Sequence, residues 1–220
     1  MELVFDLDGT LIDSSSGILG TLRYTFDKMG FQLLPEPEMR RFIGPPLEPA
    51  FMEFVGVDRA TAVEAVRVYR AEYRITGLLG VEVYPGIPEM LIRLREAGHN
   101  LHIATSKPEE FALQIFENIG LAHHFTHICG AGMDGTRAKK AEVLEELFRR
   151  GGVSLPCRET LQDWRMIGDR IYDVEGAAAF GMASVGVTWG FGPRSEFAGA
   201  EAIAETPEAL AVLFCRKREA

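Results

Sequence analysis

Short apolar runs alternate with amphipathic helical patterns along most of the chain. Buried strands are predicted at residues 2–5, 101–104, 125–129, 164–167 and 183–187. Apolar positions at helical spacing predict helices at residues 87–97, 109–119, 139–150 and 172–180. Because strands that alternate with helices form a parallel sheet covered on both faces, the pattern predicts an α/β fold.

Residues 14–84 break this alternation. Apolar side chains at Ile18, Leu22 and Phe26 recur at helical spacing, and a further helix is predicted at residues 59–76. The turn at residues 84–86 returns the chain to the α/β pattern. We therefore predict an α/β core domain at 1–13 and 85–220, and a mainly helical domain at 14–84 that is inserted after the first strand.

Composition and charge narrow the class of protein. The 220 residues are 47% hydrophobic, and no apolar stretch approaches the roughly 20 residues that span a bilayer. We therefore expect no membrane partner. The net charge is −9 and the basic runs are short, including the tail at 216–218, so we also expect no nucleic-acid partner. No basic segment precedes an apolar run at the N-terminus, which favours a cytoplasmic location. The expected oligomeric state is a monomer or a homodimer.

Polar residues collect where the predicted strands end. In open α/β sheets, ligands bind beyond the carboxyl ends of the strands. The residues that follow the strands at these ends are Asp6, Asp8, Thr105, Ser106, Asp169 and Asp173. Carboxylates and hydroxyls make up this set, which favours a polar site over a neutral loop surface.

The first of these signals is the pair Asp6 and Asp8. Two residues apart in an extended segment, their carboxylates point to the same side and repel unless a cation or a proton lies between them. Mg²⁺, which prefers oxygen ligands, would relieve this repulsion, and a carboxylate can also attack phosphorus to give an aspartyl-phosphate. Taken alone, the segment equally fits a strand end with an Asx turn at Asp8.

The second signal is a pair of hydroxyls ahead of a helix. Ser106 is predicted to cap that helix, and Glu109, three residues later, would complete a capping box. A helix N-terminus also binds phosphate, so Thr105 and Ser106 suit both interpretations. Lys107 is interpreted as a surface charge.

Two further signals lie in the second half of the chain. Lys139 and Lys140 stand near a helix start, where their charges oppose the helix dipole and favour a nearby anion. Asp169 and Asp173 follow the fourth strand, four residues apart, and both can point at one cation. Taken alone, Asp169 fits a helix N-cap, whereas beside the first two carboxylates it completes an oxygen cage for Mg²⁺.

These signals together resemble the haloacid dehalogenase-like superfamily of phosphotransferases. The resemblance rests on residues 6–11 (DLDGTL), a threonine after the second strand, a lysine at a helix start and residues 168–173 (GDRIYD), in the order of the family's four motifs. It implies a Rossmann-like parallel sheet. True dehalogenases lack the second carboxylate of the first motif, so Asp8 favours phosphoryl transfer over dehalogenation.

The resemblance implies roles for the four aspartates. Asp6 corresponds to the nucleophile and Asp8 to the general acid and base, whose backbone carbonyl also helps to hold Mg²⁺. Asp169 corresponds to a metal ligand, and Asp173 either ligates the metal or orients the motif lysine. The predicted metal site is therefore Asp6, Asp8, Asp169 and Asp173.

The resemblance also implies how phosphate is held. Thr105 corresponds to the phosphate-binding residue of the second motif, with the Ser106 backbone N–H beside it. Lys140 is favoured as the lysine that neutralises the nucleophile and the phosphate, because it directly precedes the apolar helix pattern. Lys139 stays an alternative.

The helical insert resembles the cap domain of the subgroup that contains phosphoglycolate phosphatase, β-phosphoglucomutase and small nucleotidases. Residues 42–47, 134–137 and 186–192 are similar to phosphoglycolate phosphatase-like proteins, some of which are 5′-nucleotidases. Gly44 belongs either to a cap loop that contacts substrate or to a rigid turn between helices. Residues 186–192 form either a loop near the site or a strand exit.

The sequence therefore predicts a Mg²⁺-dependent phosphomonoesterase that acts through an aspartyl-phosphate on a small phosphorylated metabolite, either phosphoglycolate-like or a nucleoside monophosphate. The alternatives are a phosphomutase similar to β-phosphoglucomutase and an inorganic pyrophosphatase on the same scaffold. A binding module without activity is a fourth possibility, which the four intact motifs disfavour.

Overall fold

The five predicted strands and one further strand assemble into a six-stranded parallel sheet in a computed structural model that describes residues 1–215. The strands are β1 (Glu2–Phe5), β2 (Ile12–Asp13), β3 (Glu82–Val83), β4 (Asn100–Pro108), β5 (His127–Ala131), β6 (Trp164–Gly168), β7 (Ala183–Val187) and β8 (Ala202–Ala204). The order in the large sheet is β5-β4-β1-β6-β7-β8, with all neighbours parallel. The predicted α/β fold is confirmed.

The chain divides into two compact units, Met1–Ile12 with Val83–Ala220, and Asp13–Glu82. Helices of the second unit are α1 (Ser15–Met29), α2 (Glu36–Met39), α3 (Leu47–Phe54) and α4 (Arg59–Ile75). Helices of the first are α5 (Ile87–Glu96), α6 (Glu109–Ile119), α7 (Lys140–Arg150), α8 (Ile171–Ala178) and α9 (Pro207–Cys215). The division into two domains, at 1–13 with 85–220 and at 14–84, stays a prediction.

The first unit is built on the central strand β1. Leu3, Val4 and Phe5 are fully buried, as expected of a strand covered on both faces. Helix α7 contributes Val143 and Leu147 to the cluster that contains Val4, and each such buried aliphatic side chain contributes about 1.5–3 kcal/mol. This packing holds the carboxyl ends of β1, β4 and β6 side by side at one edge of the sheet.

The second unit is mainly helical and has its own aromatic core. The Phe42 and Phe51 ring centroids are 5.1 Å apart and lie 6.1 and 6.2 Å from that of Phe26. Helix α1 packs against α4, and the Gly17 N–H donates to the Gly80 carbonyl at 3.1 Å. A Cβ at Gly17 would lie 2.2 Å from a backbone oxygen, so glycine permits this close approach.

The structure differs from the predicted elements at β5 and β8. The strand predicted at 125–129 begins instead at His127, where pairing with His102 starts. Phe125 extends the apolar run although it precedes the strand, because its ring packs in the core. The Phe125 ring centroid lies 5.1 Å from that of Phe116 and 6.4 Å from that of Phe5. Strand β8 was not predicted because its apolar run has only three residues, Ala202–Ala204, and is shorter than each of the runs predicted as strands.

Two further expectations concern the basic tail and the membrane. The basic tail at 216–218 lies outside the described residues. Among residues 1–215, none of the helices is long and apolar enough to cross a membrane.

Candidate active site

Three buried carboxylates meet at the carboxyl edge of the sheet. Asp6 follows β1, Asp169 follows β6 and Asp173 lies in the first turn of α8. Because Phe5 pairs in register with Ile167, the ends of the two strands coincide. One oxygen from each carboxylate lies within 4.8 Å of the others, the one such cluster found among the described residues. Like charges this close favour a bound cation or a proton.

The electrostatics of these carboxylates fit a divalent cation. Burial, with the nearby charges of Asp173 and Asp6, raises the pKa of Asp169 well above its usual value. Burial also raises the pKa of Asp173, although the Lys140 ammonium opposes that rise. A hard cation with oxygen ligands would hold these groups ionised, so the cluster could hold a metal ion.

Lys140 neutralises part of this charge. Its Nζ donates to Asp6 Oδ1 at 2.8 Å and to the Ala104 carbonyl at 2.8 Å, and lies 2.8 Å from Asp173 Oδ1. Burial alone would lower the pKa of this lysine, but the charges of Asp173 and Asp6 outweigh burial and raise it. Lys139 is exposed at the N-cap of α7, so of the two candidates the structure brings Lys140 to the cluster.

Residues 186–192 contribute a loop that encloses Asp169. The Phe191 N–H donates to Asp169 Oδ2 at 2.7 Å, and the Trp189 indole donates to the Thr10 carbonyl at 2.9 Å. Gly9 has a φ of 82°, and a Cβ there would lie 2.2 Å from Asp169 Oδ2. A Cβ at Gly190 would lie 2.2 Å from the Gly9 carbonyl. Of the two interpretations of this stretch, the structure supports a loop at the site.

The interpretation of Lys107 as a surface charge is wrong. Its Nζ donates to both carboxylate oxygens of Asp8, at 2.8 and 3.0 Å, and only 5% of the lysine side chain is exposed. Asp8 therefore lies outside the cluster of three carboxylates and has an ammonium of its own. Its backbone forms an isolated bridge with Ile12, which closes the turn after β1.

The hydroxyl pair after the second predicted strand lies at the end of β4. Thr105 is buried, and its Oγ1 accepts the Lys107 N–H at 3.2 Å. The predicted capping box of Ser106 and Glu109 is absent because β4 continues to Pro108, which becomes the N-cap of α6. The Glu109 carboxylate instead accepts the Gly130 N–H at 3.1 Å.

Two other predicted features are not part of this cluster. Gly44 lies in the second unit, between a short 3₁₀ turn and α3, with a φ of 107°. Its role in substrate binding stays a prediction. Residues 134–137 form a turn in which Asp134 Oδ1 accepts the Thr136 N–H at 3.1 Å. Of this turn, Asp134 and Thr136 are exposed.

Comparison with known proteins identifies the family. Residues 3–187 match the family described as haloacid dehalogenase-like hydrolase. A 5′-nucleotidase of Pseudomonas aeruginosa is 41% identical over 198 residues, covering 89% of this chain and 86% of that protein. The tyrosine-protein kinase PtkA of Mycobacterium tuberculosis is 38% identical over 196 residues, covering 89% of this chain and 64% of that protein.

Two further proteins agree with this assignment. A phosphoglycolate phosphatase of Mesorhizobium japonicum is 30% identical over 203 residues, covering 87% of this chain and 84% of that protein. The crystal structure of a predicted phosphatase from Clostridium acetobutylicum has a TM-score of 0.90 and 37% identity, with 96% of each chain covered. The chain belongs to the haloacid dehalogenase-like hydrolase family. It is an enzyme, a phosphatase of that family.

Proposed function

We propose that the chain is a Mg²⁺-dependent phosphomonoesterase that transfers phosphate to Asp6 and then to water. The observation that carries this proposal is the contact of Asp6 with Lys140 at 2.8 Å, inside the cluster with Asp169 and Asp173. A carboxylate buried beside an ammonium and a candidate cation site is suited to attack an anionic phosphate, because its partners neutralise the incoming charge.

Two steps account for the reaction. An Asp6 oxygen attacks phosphorus, the bond from phosphorus to the leaving oxygen breaks, and that oxygen takes a proton from Asp8. Water then attacks the phosphorus of the aspartyl-phosphate and gives its proton to Asp8, and the bond to Asp6 breaks. Thr105, the Ser106 N–H and Lys140 bind the oxygens of the transferred group.

The residues that would hold Mg²⁺ are Asp6, Asp169 and Asp173, with the Asp8 backbone carbonyl added on the strength of the family resemblance. When bound, a divalent cation supplies Lewis acidity toward phosphoryl oxygens. The Phe191 N–H orients Asp169 through Oδ2, and Lys140 contacts Asp6 and Asp173 at 2.8 Å. The chain thus provides both the ligands and the groups that orient them.

We propose a nucleoside monophosphate or a phosphoglycolate-like compound as the substrate. The support comes from the relatives named 5′-nucleotidase and phosphoglycolate phosphatase, which match over most of their own length. Gly44 remains a proposed substrate contact. A cytoplasmic location and a monomeric or homodimeric state belong to the same proposal.

Phosphate release from a panel of substrates tests the function. The panel contains nucleoside monophosphates, phosphoglycolate, sugar phosphates, pyrophosphate and 4-nitrophenyl phosphate, each with Mg²⁺, with EDTA, and with the Asp6→Asn variant. We expect hydrolysis of one class of monoester that both controls abolish. Turnover that needs a sugar bisphosphate would indicate a mutase, and preference for pyrophosphate a pyrophosphatase. No hydrolysis by folded protein with Mg²⁺ would contradict the proposal.

A further inference from the structure

Lys107 and Asp8 form an ion pair that is shielded from solvent. The ammonium donates to Oδ1 at 2.8 Å and to Oδ2 at 3.0 Å, and the exposed fractions of the two side chains are 5% and 12%. Exposed ion pairs contribute little to the stability of a folded protein, whereas removing one partner of a shielded pair destabilises the protein strongly because the other charge stays buried alone. Because both oxygens contact one ammonium, the pair restricts the orientation of the Asp8 carboxylate.

A bulge in the sheet directs Lys107 to this position. Thr105 of β4 pairs with Gly130 of β5, and the next pair is Pro108 with Ala131. Strand β4 therefore has two extra residues, one of which is Lys107. Bulges re-aim side chains and are common beside active sites.

Neighbouring residues are adapted to this bulge. The Thr105 hydroxyl accepts the Lys107 N–H at 3.2 Å. On the other side, a Cβ at Gly130 would lie 2.7 Å from the Lys107 carbonyl, so only glycine allows β5 to approach this closely. The bulge is thus held from both sides. It places Lys107 beside Asp8, whereas Thr105 is the residue of the second motif that is proposed to bind phosphate.

Each aspartate of the first motif consequently has its own lysine. Lys140 contacts Asp6 from α7, and Lys107 contacts Asp8 from β4. In the proposed reaction Asp6 attacks phosphorus, and Asp8 must instead reach the leaving oxygen and later a water molecule.

We propose that Lys107 is a positioning residue, which holds one oxygen of the protonated Asp8 carboxyl group while the other oxygen gives its proton to the leaving group. Asp8, then ionised and with both oxygens on the ammonium as in the structure, takes a proton from the attacking water and is ready for the next turnover. This inference rests on the proposed phosphomonoesterase function. It differs from a role in binding phosphate, because a positioning residue acts through Asp8 and matters most where the leaving group needs a proton.

The choice of leaving group separates the two roles. An alkyl phosphate releases an alkoxide that must be protonated, whereas 4-nitrophenyl phosphate releases a stable anion. We expect Lys107→Met to lower kcat/KM for the alkyl phosphate about 100-fold, within the range of general acid catalysis, and for 4-nitrophenyl phosphate by less than about 3-fold. Lys107→Arg keeps a cation and should restore part of the loss with the alkyl phosphate.

A double-mutant cycle tests whether Lys107 acts through Asp8. In the Asp8→Asn background, Lys107→Met should change kcat/KM for the alkyl phosphate by less than about 3-fold, because the group it positions is already absent. Lys28→Met, which alters an exposed lysine of α1, is the matched control and should leave both substrates unaffected. Circular dichroism and thermal melting establish that each variant is folded, and Lys107→Gln replaces Lys107→Met if the latter is not.

Three results would overturn the inference. Equal losses with both substrates would show that Lys107 binds phosphate, as would a full further loss in the Asp8→Asn background. A Lys107→Met variant as active as the wild type would show that the pair has no part in the reaction. The first three results would leave the proposed phosphomonoesterase function intact. Absence of hydrolysis by the wild-type protein would overturn the proposed function itself, so the two kinds of failure are distinguishable.

Discussion

The Lys140 ammonium donates to the Asp6 carboxylate at 2.8 Å, although the two residues are 134 positions apart in the sequence. The contact exists because α7 begins at Lys140 and β1 ends before Asp6, at the same edge of the sheet. Asp173 lies 2.8 Å from the same ammonium. One buried cation thus contacts two carboxylates, and the site depends on it for both charge and geometry.

Replacing Lys140 by Met should therefore lower kcat/KM by at least about 10²- to 10³-fold, the range found when one group that stabilises transition-state charge is removed. The variant should also melt at a lower temperature, since Asp6 and Asp173 lose the cation between them. Phosphate release and thermal melting measure the two effects. Lys139→Met, which alters the exposed neighbour, is the control, and a similar loss in both variants would contradict this assignment.

Metal binding should stabilise the folded protein. Because the three carboxylates converge only in the folded chain, Mg²⁺ at 100 times its dissociation constant should add about 2.7 kcal/mol to the free energy of unfolding. Asp169→Asn should remove most of this gain. Urea unfolding with Mg²⁺ and with EDTA measures it.

The control for the metal experiment is Asp134→Asn, because Asp134 is an exposed carboxylate of the 134–137 turn. It should keep the stabilisation by Mg²⁺. The same stabilisation in Asp169→Asn as in the wild type would place the ion elsewhere on the protein.

The loop that encloses Asp169 should not accept a side chain at Gly190. A Cβ there would lie 2.2 Å from the Gly9 carbonyl and 2.4 Å from the Asp169 Cβ, so Gly190→Ala must displace the loop or the carboxylate. We expect a loss of phosphatase activity and weaker Mg²⁺ binding, measured by calorimetry. Gly20→Ala is the matched control, because its Cβ would meet nothing within 4 Å and alanine favours the α1 helix. Unchanged activity in Gly190→Ala would show that the loop is not needed at the site.

His102 should make stability depend on pH. Its ring is stacked 5.4 Å from those of His127 and Trp164, and its Nε2 lies 2.7 Å from a Glu2 carboxylate oxygen. Burial lowers the pKa of His102 below 6.5, although Glu2 opposes this shift. As the pH falls through 6.5, the unfolded chain binds a proton that the folded chain resists, so the free energy of unfolding decreases.

Urea unfolding between about pH 7.5 and pH 5.5 tests this linkage, with an expected decrease at the acid end that is smaller in His102→Gln. Burial acts to raise the pKa of Glu2, but hydrogen bonds from His102 and Asn100 outweigh it and lower that pKa. Glu2 therefore stays ionised across the range and does not produce the slope. His123→Gln alters an exposed histidine and is the control against which the smaller decrease in His102→Gln is judged. An unchanged slope in His102→Gln would contradict the assignment.

Most of the fold and much of the site were predictable because their signals are local. The apolar runs that form the strands and the helical periodicities each depend on neighbouring residues. The aspartates follow two of these runs directly, so their convergence follows from the parallel sheet. The choice between Lys139 and Lys140 was open because it depends on where α7 begins and on Gly176, at which a Cβ would lie 2.6 Å from the Lys140 Cγ.

The missed features depend on pairings between distant segments. The sequence alone predicts a surface charge at Lys107, because nothing near this residue signals the bulge that turns it toward Asp8. That bulge is a property of β4 and β5 together. The capping box at Ser106 failed for the same reason, since β4 continues to Pro108. The Phe191 N–H has no signal of its own in the sequence. In the structure, the glycines at 190 and 192 permit the close approach of backbone that brings this N–H to Asp169.

Mass spectrometry of an acid-quenched reaction tests most directly whether Asp6 carries the phosphate during turnover. Protein that is turning over the best substrate of the panel with Mg²⁺ should carry a phosphate adduct on the peptide that contains Asp6. The adduct should be absent with EDTA and in Asp6→Asn. Retained phosphate release by Asp6→Asn, or an adduct on another residue, would contradict the account.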